Sequence, residues 1–340
     1  MSELPEIESS FALASSGNIK PLFSCSEDEL LALARRVPTH ELAWPAASRA
    51  GVNVWLRRDD LLHPVLSGNK FYKLWGHLRH LRRTQPGAGI VSCGGAFSNH
   101  LHALAYASRQ LDIKADLIVR GQAAHPSPTI QDAVAWGATV HFVHRDEYPL
   151  WAEPSQRRQL LARRGISSEA YWIPEGGGGR LGQHGCALLG QALSERGIRH
   201  CLLASGTGTT MSGILNALPA GFSVTGISAL SSGASVTRTL LVHGRSRGVE
   251  RANWALSNQY HRGGFGRVDE AAAAFMRRFL LETGVQLDKV YTVKLFMALE
   301  ERLARGFYQK GSELLVMHSG GLQGNRSGSL CAVAADSTRV

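Results

Sequence analysis

An α/β fold with parallel sheets and helices on both faces is predicted by two observations. Strand and helix patterns alternate almost throughout the 340 residues. Several strand patterns also run straight into short loops rich in glycine and small polar residues, which in turn open helices.

Ser26-x-x-Glu29 reads as a capping box that opens a helix, with the residues up to 27 as a loosely held N-terminal extension. "VNVWLRR" from Val52 reads as the first strand. After Lys70, the residues Phe71, Leu74, Trp75, Leu78 and Leu81 fall on one helical face. "GIVSC" is a strand, and "SNHLHALAYASRQL" a helix with Ser98 as its N-cap. "KADLIVR", "PTIQDAVAWGA", "TVHFVH", "SQRRQLLARRG" and "AYWIPE" continue the alternation. "LGQHGCALLGQALSERG", "HCLLAS", "TMSGILNAL", "SVTGISAL" and "ASVTRTLLVHG" extend it. Helices around Glu270–Glu282 and Val293–Arg305 and the strand "ELLVMHS" complete it. The glycine run "EGGGGRLGQHG" is the sharpest composition break, read as a boundary between two halves or as a long βα loop. The expected segmentation is discontinuous. A larger domain takes residues 28–74 and 179–340, and a smaller one, 75–178, is inserted.

Composition bounds the function. The net charge is +10, but its basic residues are dispersed arginine pairs, such as Arg35-Arg36 and Arg277-Arg278. They form neither a stripe nor a tail, so a solvated basic surface is expected rather than a nucleic-acid site. Five cysteines (Cys25, Cys93, Cys186, Cys201, Cys331) are scattered without a C-x-x-C pair, which points to reduced thiols and no zinc site. No apolar run is long enough to span a bilayer, and "MSELPEIESS" lacks the features of a secretory signal. A cytoplasmic location is the expectation.

The loops carry the chemistry. "SGTGTT" (Ser205–Thr210) follows an apolar strand and opens a helix. Gly206 and Gly208 let successive N–H groups turn inward, and Thr207, Thr209 and Thr210 add hydroxyls at a helix N-terminus. That makes a phosphate cradle, with neither a Walker nor a G-x-G-x-x-G pattern. Its alternative is a tight βα turn with threonine caps. Lys70, in "SGNK", is one of only seven lysines against thirty arginines, and it stands at a helix start beside glycine. A lysine there is a nucleophile once its pKa of about 10.4 is lowered; the alternative is a snorkelling surface lysine. A phosphate cradle and an amine nucleophile together call for a ligand with phosphate and aldehyde, which pyridoxal 5'-phosphate provides.

The stretches "RRDDLLHPVLSGNKFYKL", "GGAFSNH", "IPEGG", "ASGTGTT", "LDKVYTVK" and "HSGG" carry a family resemblance from about Pro38 to Gly321. The chain resembles the pyridoxal-phosphate enzymes of the tryptophan-synthase β-like fold (fold type II), specifically the aminocyclopropanecarboxylate deaminase / D-cysteine desulfhydrase family. The resemblance implies two three-layer parallel-sheet domains, a homodimer and an amino-acid substrate. It implies that Lys70 bonds the cofactor, that Asn99 meets the ring hydroxyl and that Gly206 to Thr210 hold the phosphate. It places Ser98 by the substrate carboxylate and amine, Tyr291 as a proton carrier and Ser319 at the pyridine nitrogen. Ser98, His100, Phe265 and Thr292 make up the expected substrate side. The bland readings are a helix cap for Ser98, a core position for Tyr291 and a turn for Ser319. His100 and His102 face different ways on their helix, so no metal site is expected.

Two departures bear on substrate. Aminocyclopropanecarboxylate deaminases carry a tyrosine at the position of Phe265 and a glutamate at that of Thr292. Phe265 has no hydroxyl and Thr292 no carboxylate. Cyclopropane ring opening is therefore not expected, and Phe265 also departs from the desulfhydrase pattern. A hydroxyl at Ser319 makes the ring a milder electron sink than a carboxylate would, which favours prompt loss of a β-substituent. β-Elimination on D-cysteine or a related amino acid is the leading expectation. The alternatives are racemisation or β-replacement, and a cofactor-binding relative without turnover.

Overall fold

The structure is a computed structural model that describes residues 23–122, 124–230, 253–264 and 268–326, with Thr237 and Leu240. Phe265, and most of the helix expected over "ASVTRTLLVHG", lie outside the described residues. Helix α1 (Glu27–Arg36) opens on the Ser26–Glu29 capping box, with acidic residues in its first turn and arginines in its last. A short strand β1 (Thr39–Glu41) and helix α2 (Pro45–Ala50) precede β2 (Asn53–Arg57). Helix α3 (Asn69–Thr84) buries Phe71, Leu74, Trp75, Leu78 and Leu81, the face set by their spacing. The expected domain boundary at 74/75 falls inside this unbroken helix.

The chain continues through β3 (Ile90–Gly95), α4 (Asn99–Leu111), β4 (Ala115–Arg120), α5 (Pro128–Ala135), β5 (Thr139–Val143), α6 (Pro154–Arg163) and β6 (Tyr171–Ile173). Then come α7 (Gly179–Ser194), β7 (His200–Ser205), α8 (Thr209–Ala217), β8 (Ser223–Ser228) and β9 (Asn253–Ser257). Helices α9 (Glu270–Thr283) and α10 (Thr292–Ala304) lead to β10 (Glu313–Met317). The sequence patterns missed β1, α2 and β9, all short elements of six residues or fewer.

One sheet runs β1-β2-β10-β7-β8-β9 and the other β5-β4-β3-β6. All pairings are parallel except β1 with β2, where a three-residue edge strand runs antiparallel. Neighbouring residues of a strand enter different cores, so both faces of each sheet are covered. Leu202 and Ala204 pack into one core with Leu314 and Val316. Cys201, Leu203, Leu315 and Met317 pack into another, which also takes Ile90, Leu117 and Val119 of the second sheet. The two sheets thus share one continuous core through α3 and α7. The opposite face of the smaller sheet packs Val91, Cys93 and Ile118 against Trp151 and Leu160. This arrangement brings the loops after β3, β6, β7 and β10 toward one another.

Candidate active site

The loop that carries Lys70 is anchored by charge. Arg57, at the end of β2, is fully buried and donates to Asp59 at 2.9 Å, to the carbonyl of Ala34 at 2.8 Å and to Tyr72 Oη at 3.2 Å. Tyr72 donates to the second Asp59 oxygen at 3.0 Å. A buried ion pair is tolerable when most of its other donors and acceptors are occupied in this way, and here Arg57 Nη1 is left without a partner among the described residues. The Asp59 carbonyl then accepts from Gly68 N at 2.8 Å, which pins the turn before Lys70. Gly68 adopts φ +66° and has no room for a side chain: a Cβ would lie 1.8 Å from the Ser319 carbonyl oxygen. The "SGNK" and "HSGG" loops are thereby interlocked.

Gly68 is the N-cap of α3, so Lys70 stands in its first turn. Its Nζ donates to Asn69 Oδ1 at 2.7 Å, and Asn69 Nδ2 donates to Thr210 Oγ1 at 2.9 Å. Burial, and then the charge of Lys73, lower the Lys70 amine from 10.5 to about 7, against an opposing pull from Asp288. The ammonium lies 5.6 Å from the centre of the Tyr291 ring.

Across the cavity, Ser205 ends β7 and Gly208 caps α8 with φ +80°. Gly206 faces Tyr291 so closely that a Cβ would come within 3.1 Å of the ring. The hydroxyls of Thr207 and Thr209 are 3.0 Å apart, and the buried Ser205 hydroxyl has no partner among the described residues. A glycine-rich turn, hydroxyls and a helix N-terminus at one cavity wall suit a phosphate.

Asn99 opens α4 after the Ser98 cap. Its Oδ1 accepts from Gln323 Nε2 at 2.6 Å, and Gly321 leaves its side chain room, since a Cβ there would meet Asn99 Nδ2 at 2.4 Å. Tyr291 precedes α10. Burial, with Asp288 and Glu175 nearby, holds its phenol above the ordinary range.

One cavity is lined by Lys70, Asn99, Gly206, Thr207, Gly208, Thr210, Tyr291 and Ser319 among the residues expected from the sequence. Lys73, Asn69 and Gly176 also line it, without having been anticipated as site residues. Four expected residues stand differently. The Ser98 hydroxyl caps α4, accepting from Leu101 N at 3.3 Å. His100 is buried and bonds Ser92 Oγ through Nε2 at 2.9 Å. Because Ser92 donates to the Ile173 carbonyl, it accepts from His100 Nε2, and His100 Nδ1 is left unprotonated and without a partner among the described residues. Burial and the nearby lysines hold this imidazole neutral, well below its usual value. Thr292 is fully buried with its hydroxyl on Asp288, and Thr209 faces the neighbouring cavity. Gln323 and Glu175 carry no local pattern that marks them, because their partners are remote in sequence, whereas Asp288 bonds Val290, Tyr291 and Thr292 just after it, so its signal was the local Asp-x-x-x-Thr spacing.

The donor set fits pyridoxal phosphate: a near-neutral amine at one end, the threonine and N–H cradle at the other, and Asn99 and Ser319 between.

Comparison with known proteins agrees with that fit. The family model described as pyridoxal-phosphate dependent enzyme matches residues 33–320. A Pyrococcus horikoshii protein, provisionally named a 1-aminocyclopropane-1-carboxylate deaminase, is 26% identical over 81% of this chain and 86% of its own. The mitochondrial bifunctional D-cysteine desulfhydrase/1-aminocyclopropane-1-carboxylate deaminase of Arabidopsis thaliana is 26% identical over 84% of this chain and 76% of its own. The crystal structure of an ACC deaminase homologue superposes with a TM-score of 0.71 at 23% identity, covering 87% of this chain and 95% of that one.

Proposed function

Since the chain belongs to the family of pyridoxal-phosphate-dependent enzymes, with the fold type II architecture, we propose that it eliminates a β-substituent from a small amino acid. D-Cysteine is the leading substrate, giving pyruvate, sulfide and ammonia. The observation that carries this reading is the cavity that joins Lys70 and Tyr291 to a threonine cradle, with Ser319 rather than a carboxylate beside them. Relatives named for D-cysteine desulfhydration support it.

When bound, pyridoxal phosphate supplies the electron sink for breaking the substrate's Cα–H bond. Lys70, with its amine lowered to about 7, is suited to take that proton near neutral pH. Tyr291 lines the same cavity as Lys70 and is the candidate for moving protons on the substrate. Ser319 offers the ring nitrogen a hydroxyl, which leaves the nitrogen neutral and the sink mild. Gly206 to Thr210 hold the phosphate, and Asn99, oriented by Gln323, meets the ring hydroxyl. Ser98 and His100 then act from behind the substrate face, Ser98 through the helix start it caps.

In this reading the protein works as a homodimer in the cytoplasm. The described residues contain no helix long and apolar enough to cross a membrane. Domain boundaries are best drawn after α3 and at Gly178, the N-cap of α7. The test is release of pyruvate and sulfide from D- and L-cysteine by the holoenzyme. Racemised or β-substituted product without pyruvate would replace elimination with another reaction, and no product at all would make the protein a cofactor-binding relative.

A further inference from the structure

A second cavity, of about 680 Å³, opens beside the cofactor cavity and shares Thr207 with it. That volume accommodates a ligand far larger than cysteine. The two spaces meet at consecutive residues: Gly176 lines the first and Glu175 the second. The shared Thr207 follows Gly206, against which the Tyr291 ring packs, so this cavity lies on the Tyr291 side of the site.

Its walls are chemically divided. Trp172, with Pro149 and Pro174, makes an apolar surface. The Arg157 guanidinium lies 4.4 Å over the Trp172 ring. Its Nη1 is held by the carbonyls of Trp151 and Ala152 at 3.1 and 3.4 Å, while its Nε and Nη2 make no hydrogen bond to a described residue. A guanidinium with a free edge, braced on an indole, is built to receive a carboxylate. Near Tyr291, Glu175 accepts from Tyr148 Oη at 2.7 Å and disfavours an anion there. Burial pushes the Cys93 thiol up to about 12, so this part of the wall stays protonated and unreactive toward thiols.

We propose that this cavity receives the leaving-group end of the substrate, and that this end is an extended thiol, apolar along its body and anionic at its tip. The proposal rests on the β-elimination reading and names its substrate class: S-substituted cysteines. The reaction balances without an oxidant or reductant. The Cα–H and Cβ–S bonds break, the electron pair of the Cβ–S bond leaves on sulfur, and sulfur takes a proton. Water then hydrolyses the remaining enamine, so that substrate and water give thiol, pyruvate and ammonium.

The test uses the holoenzyme with S-(4-carboxybenzyl)cysteine, S-benzylcysteine and cysteine, each as both enantiomers, and measures pyruvate and free thiol. For the enantiomer turned over, kcat/KM is expected to fall in that order, by roughly tenfold at each step. Arg157→Gln is expected to erase the first step through KM while leaving cysteine turnover unchanged, and Arg157→Lys to keep much of it. If cysteine is turned over but the benzyl compounds are not preferred, the proposal is overturned while β-elimination stands. The same holds if Arg157→Gln leaves the preference for the carboxylated probe intact. If Arg157→Gln lowers all three rates together, the comparison passes to Arg157→Lys. Loss of the carboxylate preference in that variant at normal cysteine turnover would also overturn the proposal, because the charge is retained. Absence of pyruvate from every probe, cysteine included, would remove the elimination reading itself.

Discussion

The carboxylate of Asp288 accepts both the amide N–H and the hydroxyl of Thr292, at 2.7 and 2.8 Å. It accepts from Val290 and Tyr291 amides as well, at 2.9 and 3.0 Å, so one buried anion caps α10 and sets the backbone that presents Tyr291. Hydrogen bonds to a charged group are worth about 1.5–3 kcal/mol each when a partner is lost. Asp288→Asn is expected to cost stability of that order in thermal unfolding. Removing the negative charge also removes its upward pull on Lys70, so the amine should titrate at lower pH, read from the pH dependence of cofactor binding. An unchanged titration would mean that Asp288 acts only as a cap.

Lys70 and Lys73 both line the cavity, and burial lowers both amines. Lys73 Nζ is already bonded to the Gly176 carbonyl at 3.2 Å, whereas the hydrogen bond of Lys70 among the described residues is to its neighbour Asn69. Borohydride reduction of the holoenzyme should therefore fix the cofactor on Lys70, as found by peptide mapping, and Lys70→Ala should abolish the reducible linkage. Label on Lys73 would reassign the site.

The same lowered amine makes a pH prediction for the cofactor-free protein. With a folded value near 7 against 10.5 unfolded, the unfolded chain binds more protons between those two pH values. Stability then rises with pH across that window, since the slope follows the excess of protons on the unfolded state. Melting temperatures taken from pH 7 to 8.5 should rise more steeply with pH in the parent than in Lys70→Met; above that range the raised buried thiols Cys93, Cys186 and Cys201 pull the other way. Equal slopes in the two proteins would assign the effect elsewhere.

Ser319 lines the cavity, and its carbonyl packs against Gly68. Ser319→Asp should protonate the ring nitrogen and deepen the electron sink. Stopped-flow absorbance with a turned-over substrate should then show a new long-wavelength band, slower elimination and more transamination product. Ser319→Ala should lose cofactor affinity by about 1 kcal/mol without that band. A parent-like spectrum and product ratio in Ser319→Asp would place the ring nitrogen elsewhere.

1-Aminocyclopropane-1-carboxylate is the substrate named for several relatives. Here Phe265 has no hydroxyl to act as acid or base, and Thr292, after Tyr291, has no carboxylate to offer the ring nitrogen, its hydroxyl being bonded to Asp288. Ammonia release from this compound should stay at least about a hundredfold below that from the preferred β-substituted substrate, as expected when a proton-transfer group is missing. Comparable rates would show that another group performs the ring opening.

The sequence by itself determined what depends on near neighbours. The face of α3 that carries Phe71, Leu74 and Trp75, the Ser26–Glu29 cap and the glycine-rich entrance to α8 follow from spacings of a few residues. These spacings dictate helical faces and helix starts directly. The combined motifs also identified the cofactor class, because an amine and a phosphate cradle limit the chemistry. Only the tertiary structure decided which groups meet. Asn99 receives Gln323 from 224 residues away, and Asn69 reaches Thr210 from 141 away. Arg57 appears in the sequence as one more charge of a basic chain, yet it is fully buried and bonded to Asp59, Tyr72 and Ala34. Thr292 carries the hydroxyl of a substrate-side residue, and the fold spends it on Asp288. The physical reason is register: hydrophobic period places a residue on a face, but the pairing of β2, β10 and β7 decides which loops stand together, and that pairing is not encoded in any local spacing.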